Sequence, residues 1–126
     1  MKSTFPKFVA ASLVLVGGAA SADILAGIGW AANQAAVVCY VFNAGSGPVD
    51  ITSKAIVNEV TGNAYPAAGS CTNSLASGRT CALTAAVQAN GANTCKFVLS
   101  PSGADVRGQM EVRNSTGTIL NSIGLR

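Results

Sequence analysis

The stretch Ala35-Ala36-Val37-Val38-Cys39-Tyr40-Val41-Phe42-Asn43 decides the fold class. It is crowded with β-branched and aromatic residues, which suit a pleated, half-buried surface better than a helix, where their side chains lose freedom against the preceding turn. Side chains alternate along a strand, so Val37, Cys39 and Val41 share one face and Val38, Tyr40 and Phe42 the other. Both faces are apolar. This predicts a central strand covered on each side, or covered on one side by the protein and on the other by a partner.

Outward from this stretch the chain continues in short alternating runs. Ala44-Gly45-Ser46-Gly47-Pro48 is a turn, and the Val49-Asp50-Ile51-Thr52 run beyond it is expected to form a hairpin with the first stretch. Val49 and Ile51 have one parity and Ile56 and Val60 the other. One extra residue near Ser53 and Lys54, a β-bulge, reconciles them. Residues 64–78 hold Pro66, Gly69 and Gly78 without periodicity and read as a long loop. Strand character returns with Cys81, Leu83, Ala85 and Val87 on one face, and again with Cys95, Phe97 and Leu99.

The clearest alternation sets Val106, Gly108, Met110 and Val112 against Arg107, Gln109, Glu111 and Arg113, a strand with one wet face. Asn114-Ser115-Thr116-Gly117 then turns the chain into residues 118–125, where Ile119, Ile123 and Leu125 share a parity, predicting a C-terminal antiparallel hairpin. Asn114-Ser115-Thr116 also fits the glycosylation sequon but is read as a turn. A first strand over Ile24–Trp30 is weaker, because Gly27 and Gly29 interrupt it. Seven short strands and no amphipathic helix predict an all-β fold, a single antiparallel β-sandwich of immunoglobulin-like kind, with a small closed barrel as the alternative.

The first residues have another purpose. Lys2 and Lys7, the apolar run from Phe8 to Val16 and the small residues Ala20-Ser21-Ala22 form the three-part pattern of a secretory signal peptide cleaved after Ala22. A membrane span needs about 20 apolar residues, and this run is too short. The expected organisation is a signal peptide over 1–22 and a disulfide-stapled β-sandwich over 23–126, secreted or periplasmic, with no stable membrane anchor after cleavage. Of the eight basic residues, Lys2 and Lys7 leave with the signal, so six face five acidic residues and the net charge falls from +3 to near +1. Those six are scattered, which argues against a nucleic-acid partner, whose phosphates need clustered cations.

Four cysteines in a short exported chain predict disulfides. Spacing alone allows three connectivities. The preferred pairing joins Cys71 to Cys81, which bracket a segment able to turn back on itself, and Cys39 to Cys95, which join two apolar strands far apart in sequence as an inter-sheet staple. Zinc is the competing reading, but the chain has no histidine and no C-x2-C pair, so no metal or other cofactor is expected.

Four short pieces spread along the chain carry a resemblance: Cys39-Tyr40-Val41-Phe42-Asn43, Ser74-Leu75 leading through Gly78-Arg79-Thr80-Cys81, Cys95-Lys96-Phe97, and Val106-Arg107-Gly108. Together they resemble uncharacterised short exported bacterial proteins with a four-cysteine β-sandwich pattern. The resemblance implies shared architecture in the periplasm or outside the cell and carries no catalytic residue.

The absence of histidine removes Ser-His-Asp and Cys-His arrangements. Ser53 and Lys54 are neighbours and point to opposite faces of an extended segment, and no acidic loop offers the roughly six oxygens calcium requires. No catalytic residue is therefore expected. Five side chains are candidates for an interaction surface instead: Trp30, Tyr40, Phe42, Arg107 and Arg113. For the aromatic row the ordinary expectation is core packing against a second sheet, and for the arginines it is solvated surface charge.

These readings lead to a non-enzymatic exported protein with a structural or interaction role, its partner a protein of the cell envelope. The alternatives are an inhibitor of an exported hydrolase such as lysozyme or a protease, and a subunit of a surface fibre whose donor strand is the segment Ile24–Trp30. A hydrolase drawing on Asp23, Asp50, Glu59, Asp105 and Glu111 is the least favoured.

Overall fold

The computed structural model describes residues 23–126, and the signal peptide read over residues 1–22 lies outside them. Nine strands follow in order: β1 (Asp23–Gly29), β2 (Ala36–Asn43), β3 (Val49–Asn58), β4 (Ala68–Gly69), β5 (Ser74–Leu75), β6 (Thr80–Ala86), β7 (Asn93–Ser100), β8 (Val106–Arg113) and β9 (Ile119–Leu125). They form two antiparallel sheets, one ordered β1-β7-β3-β5 and the other β4-β6-β2-β8-β9. The architecture is a β-sandwich, not a closed barrel. The seven strands expected from the alternation are all present, and the two further ones, β4 and β5, are two-residue edge pieces within the long loop.

The faces follow the parity of the sequence. Val37, Cys39 and Val41 of β2, Phe97 and Cys95 of β7, and Met110 and Val112 of β8 are completely buried between the sheets. The bulge falls between Ile51 and Ser53 of β3, where the register against β7 shifts by one residue and restores Ile56 to the core. The C-terminal hairpin pairs β8 with β9 as expected. Its turn is organised by Asn114, whose Oδ1 accepts hydrogen bonds from the backbone N–H groups of Thr116 and Thr118, while Gly117 takes a left-handed conformation.

Three expectations change. The segments before and after Ala44–Pro48 do not form a hairpin, because β2 and β3 lie in different sheets and the turn arches between them. A β-branched strand with a turn after it pairs locally or crosses to the other layer with the same sequence pattern, and only the packing chooses. Ile119 does not share the buried face of Ile123 and Leu125. A register shift between Val112 and Arg113 carries it to the opposite face, where it is about half exposed.

The third change concerns β1. Gly27 and Gly29 do not interrupt the strand, which pairs with β7 at seven positions. They are where β1 makes room for the C-terminal strand. A Cβ on Gly27 would stand 2.8 Å from Leu125 Cδ2, and one on Gly29 would stand 2.6 Å from Ile123 Cδ1. Gly108 of β8 does the same, its missing Cβ lying 2.8 Å from both Leu25 Cδ2 and Leu125 Cδ1. Ala26 and Arg126 exchange both backbone hydrogen bonds at 2.9 Å, so β1 and the chain end meet where the two sheets come together.

Overpacking a dense core costs about 1–3 kcal/mol, so Gly108→Val is expected to destabilise the protein by that amount. Gly124→Ala, with nothing within 4 Å, is expected to leave stability within about 0.5 kcal/mol of the parent. Urea unfolding of the two variants checks the contrast.

Both disulfides are formed, Cys39 with Cys95 and Cys71 with Cys81, and no cysteine among the described residues is free. The first joins the middle strands of the two sheets, with 6.0 Å between the Cα atoms. The second ties the loop before β6 to β6 itself. Two disulfides in a chain of this size are compatible with an oxidising environment.

Candidate functional site

β2 is the third of five strands in its sheet, with β6 on one side and β8 on the other. Its inner row belongs to the core. Its outer row opens to solvent toward one end: Val38 is buried at 7% exposure, Tyr40 is partly buried and Phe42 is exposed at 38%. The expected burial of this row holds at Val38 and is corrected for Phe42 and, in part, for Tyr40. The sandwich has two layers, and a central strand in a two-layer fold has only one dry face.

Register places the wet face of β8 alongside this row. Phe42 stands opposite Arg107, Tyr40 opposite Gln109, Val38 opposite Glu111 and Ala36 opposite Arg113. On the other side β6 offers Thr80 opposite Phe42 and Ala82 opposite Tyr40, both small. The result is a surface groove of about 410 Å³, lined by Tyr40, Phe42, Thr80, Arg107, Gly108, Gln109 and Glu111. Its floor is backbone and aromatic ring, with the long polar side chains of β8 as one wall.

The polar groups in and around the groove are tied to one another. Arg113 donates from Nε to Glu111 Oε1 at 3.1 Å and again from Nη2, and the same Nη2 donates to Tyr40 Oη at 3.1 Å. Two N–H groups of one guanidinium converge on a single carboxylate oxygen, a charge-assisted contact that is stronger than a neutral hydrogen bond. The hydrogen bonding it donates to Glu111, opposed by desolvation and assisted by the carboxylate charge, raises the Arg113 pKa above the ordinary arginine value. Arg113 therefore carries its charge throughout the physiological range.

Gln109 Nε2 donates to Ser122 Oγ of β9 at 2.5 Å. Arg107 lies 3.6 Å from Asp105, with both side chains well exposed, a pair worth about 0–1 kcal/mol and free to rearrange. The two arginines on this face of β8, Arg107 and Arg113, each have a carboxylate next to them. The surface presents ring faces and hydrogen-bonding edges without a strong field of either sign.

Of the five residues read as an interaction surface, the structure brings four together: Tyr40, Phe42 and Arg107 line the groove, and Arg113, on the same face, donates to the Tyr40 hydroxyl. Trp30 stands apart. It follows β1 of the other sheet, half exposed, with its carbonyl accepting a hydrogen bond from Asn121 Nδ2 at 3.2 Å. Gln109, Glu111 and Thr80 are site residues that the sequence reading did not include. The alternation of β8 places Gln109 and Glu111 on the face of Arg107, but their pairing with β2 depends on a register no local signal encodes.

The residues considered for catalysis are dispersed. Ser53 and Lys54 pair with Val98 and Phe97, consecutive positions of β7 that face opposite ways. Asp23 accepts from the Gly103 N–H, Glu59 from the Thr94 hydroxyl, Asp105 faces Arg107 and Glu111 holds Arg113. Among the described residues no group of three or more acidic or cysteine side chains is gathered in a way that could hold a metal ion.

Comparison with protein-family models, curated protein sequences and solved structures finds no match.

Proposed function

We propose that this chain is an exported, disulfide-stapled binding module without chemistry of its own, working in the periplasm or outside the cell, and that the outer face of the β4-β6-β2-β8-β9 sheet is its contact surface. One observation supports this reading above the others. A central strand presents Tyr40 and Phe42 to solvent, and a braced row of hydrogen-bonding side chains stands beside them. Apolar ring surface beside a few placed polar groups, in one groove, is the composition small-ligand sites have.

The fibre-subunit reading asks β1 to leave its sheet and enter another copy. In this chain β1 is paired with β7 at seven positions and closes against Arg126, which favours the binding module.

Sedimentation of the purified protein with washed envelopes of the cells that make it tests the reading. The parent protein is expected in the pellet and Phe42→Ala in the supernatant, with the two equally stable. Equal partition of both proteins would overturn it.

A further inference from the structure

Resting on that reading, we infer that the groove between β2 and β8 binds an uncharged, β-1,4-linked glycan chain. The argument runs from what the surface offers to what can use it. Tyr40 and Phe42 lie two residues apart on one face, hence about 7 Å along the strand, a spacing on the scale of one sugar ring to the next. Arg107, Gln109 and Glu111 run parallel to them over about 13 Å, long enough for a short oligosaccharide. A β-1,4-linked pyranose chain is a flat ribbon with apolar C–H faces and hydroxyl edges. Its apolar faces suit the rings, and its hydroxyl edges suit the polar atoms that stay outside the internal contacts, such as Gln109 Oε1, Glu111 Oε2 and the Arg107 guanidinium, whose pairing with Asp105 is exposed and loose.

Competing occupants fit less well. A polyanion needs unpaired clustered cations, and here Arg113 is engaged by Glu111 and Arg107 lies beside Asp105. An extended peptide must satisfy its own backbone N–H and C=O groups, which a sheet edge does and a sheet face does not. A stable protein interface buries about 800 Å² on each side around an apolar core. The exposed apolar surface of this groove comes mainly from Phe42, at 38% exposure, and from part of Tyr40. At roughly 150–250 Å² for a whole aromatic side chain, two partly exposed rings supply only a small part of the apolar core such an interface is built around. A groove of about 410 Å³ is within the range of small-ligand sites, about 300–1,000 Å³.

Titration of the full mature protein with cellohexaose and with chitohexaose, followed by calorimetry and by backbone amide shifts, is the test. Binding in the micromolar to millimolar range is expected for at least one of the two, with the largest shifts on β2 and β8. Phe42→Ala and Tyr40→Ala are each expected to weaken it at least tenfold, and Trp30→Ala to leave it unchanged. Because no net charge is neutralised, affinity should change less than about twofold between low and high salt.

Absence of binding to both hexasaccharides, binding only to the curved α-linked maltohexaose, or binding only to a polyanion such as heparin would overturn the inference. So would shifts that map away from β2 and β8, a measurement that needs no variant. If both sugars fail while envelope sedimentation still depends on Phe42, the glycan is wrong and the contact surface stands. If sedimentation is also independent of Phe42, both are wrong.

Discussion

Replacing Cys39 and Cys95 together by alanine is expected to lower the unfolding free energy by about 4–5 kcal/mol. The bridge closes a sequence separation of 56 residues, for which the chain-entropy account assigns about 4 kcal/mol to the lost restriction of the unfolded chain. Both sulfurs are fully buried, so their removal also leaves a void between the middle strands of the two sheets. A domain of this size has about 5–15 kcal/mol in total, and the double variant would keep only a marginal part of it.

Cys71→Ala with Cys81→Ala is expected to cost less, about 3 kcal/mol, because that bridge spans a separation of only 10 residues. Its loss should also appear as faster proteolysis within residues 66–79, the loop it ties down. Equilibrium unfolding in urea of both double variants checks the order. A Cys39/Cys95 variant within about 1 kcal/mol of the parent would show that the staple between the sheets contributes little.

The second large effect is expected at Asn43, the last residue of β2, which is completely buried. Its side chain makes three hydrogen bonds: Nδ2 donates to the carbonyls of Gly47 and Leu75, each at 2.9 Å, and Oδ1 accepts from the Gly45 N–H at 2.9 Å. Its backbone N–H donates to Arg79 and its carbonyl accepts from Gly78. One residue thus holds the arch between the sheets, the edge strand β5 and the turn before β6.

Asn43→Ala leaves three backbone groups without partners. At about 1–3 kcal/mol for each buried unsatisfied group, reduced by water reaching the partly buried ones, a loss of about 3 kcal/mol is expected. Asn43→Asp should be worse near neutral pH, since it places a carboxylate oxygen against two carbonyl oxygens in a buried site. The carboxyl pKa in the folded variant would then lie above its unfolded value, so the penalty should shrink as pH falls and protonation restores one donor. Thermal unfolding of both variants across the acid range measures this, and an Asn43→Asp variant as stable as the parent at neutral pH would contradict the role given to the amide.

The site was partly legible. Parity alone put Tyr40 with Phe42 on one face, and Arg107 with Arg113 on another, because alternation is a local property of an extended chain. That these two faces adjoin could not be read, since β2 and β8 are more than sixty positions apart and their register is set by how the inner rows interlock. Trp30, singled out as an anchor by residue type, lies at the end of β1 on the other sheet for the complementary reason. Residue type marks a good anchor, but type does not say on which sheet the residue ends up.

The buried amides Gln34, Asn43, Asn58 and Asn93 were not legible at all. An asparagine at the end of a strand looks like solvent-exposed turn chemistry until its partners are known. For Gln34 those partners are the carbonyls of Gln88 and Gly91, more than fifty residues away.

What the sequence by itself determined is the all-β class, most of the rows that face inward, the bulge in β3, the C-terminal hairpin and a preference, among three connectivities, for the cysteine pairing the structure shows. Each is a matter of local periodicity, turn chemistry or the apolar neighbours of a cysteine. What only the tertiary structure decided is which strands share a sheet, that Phe42 and part of Tyr40 on the outer face of β2 meet water, and that Gly27, Gly29 and Gly108 accommodate the last strand rather than weaken their own. Those depend on contacts between distant segments, whose free energy comes from complementary shape across the core and leaves no trace in the pattern of any one segment.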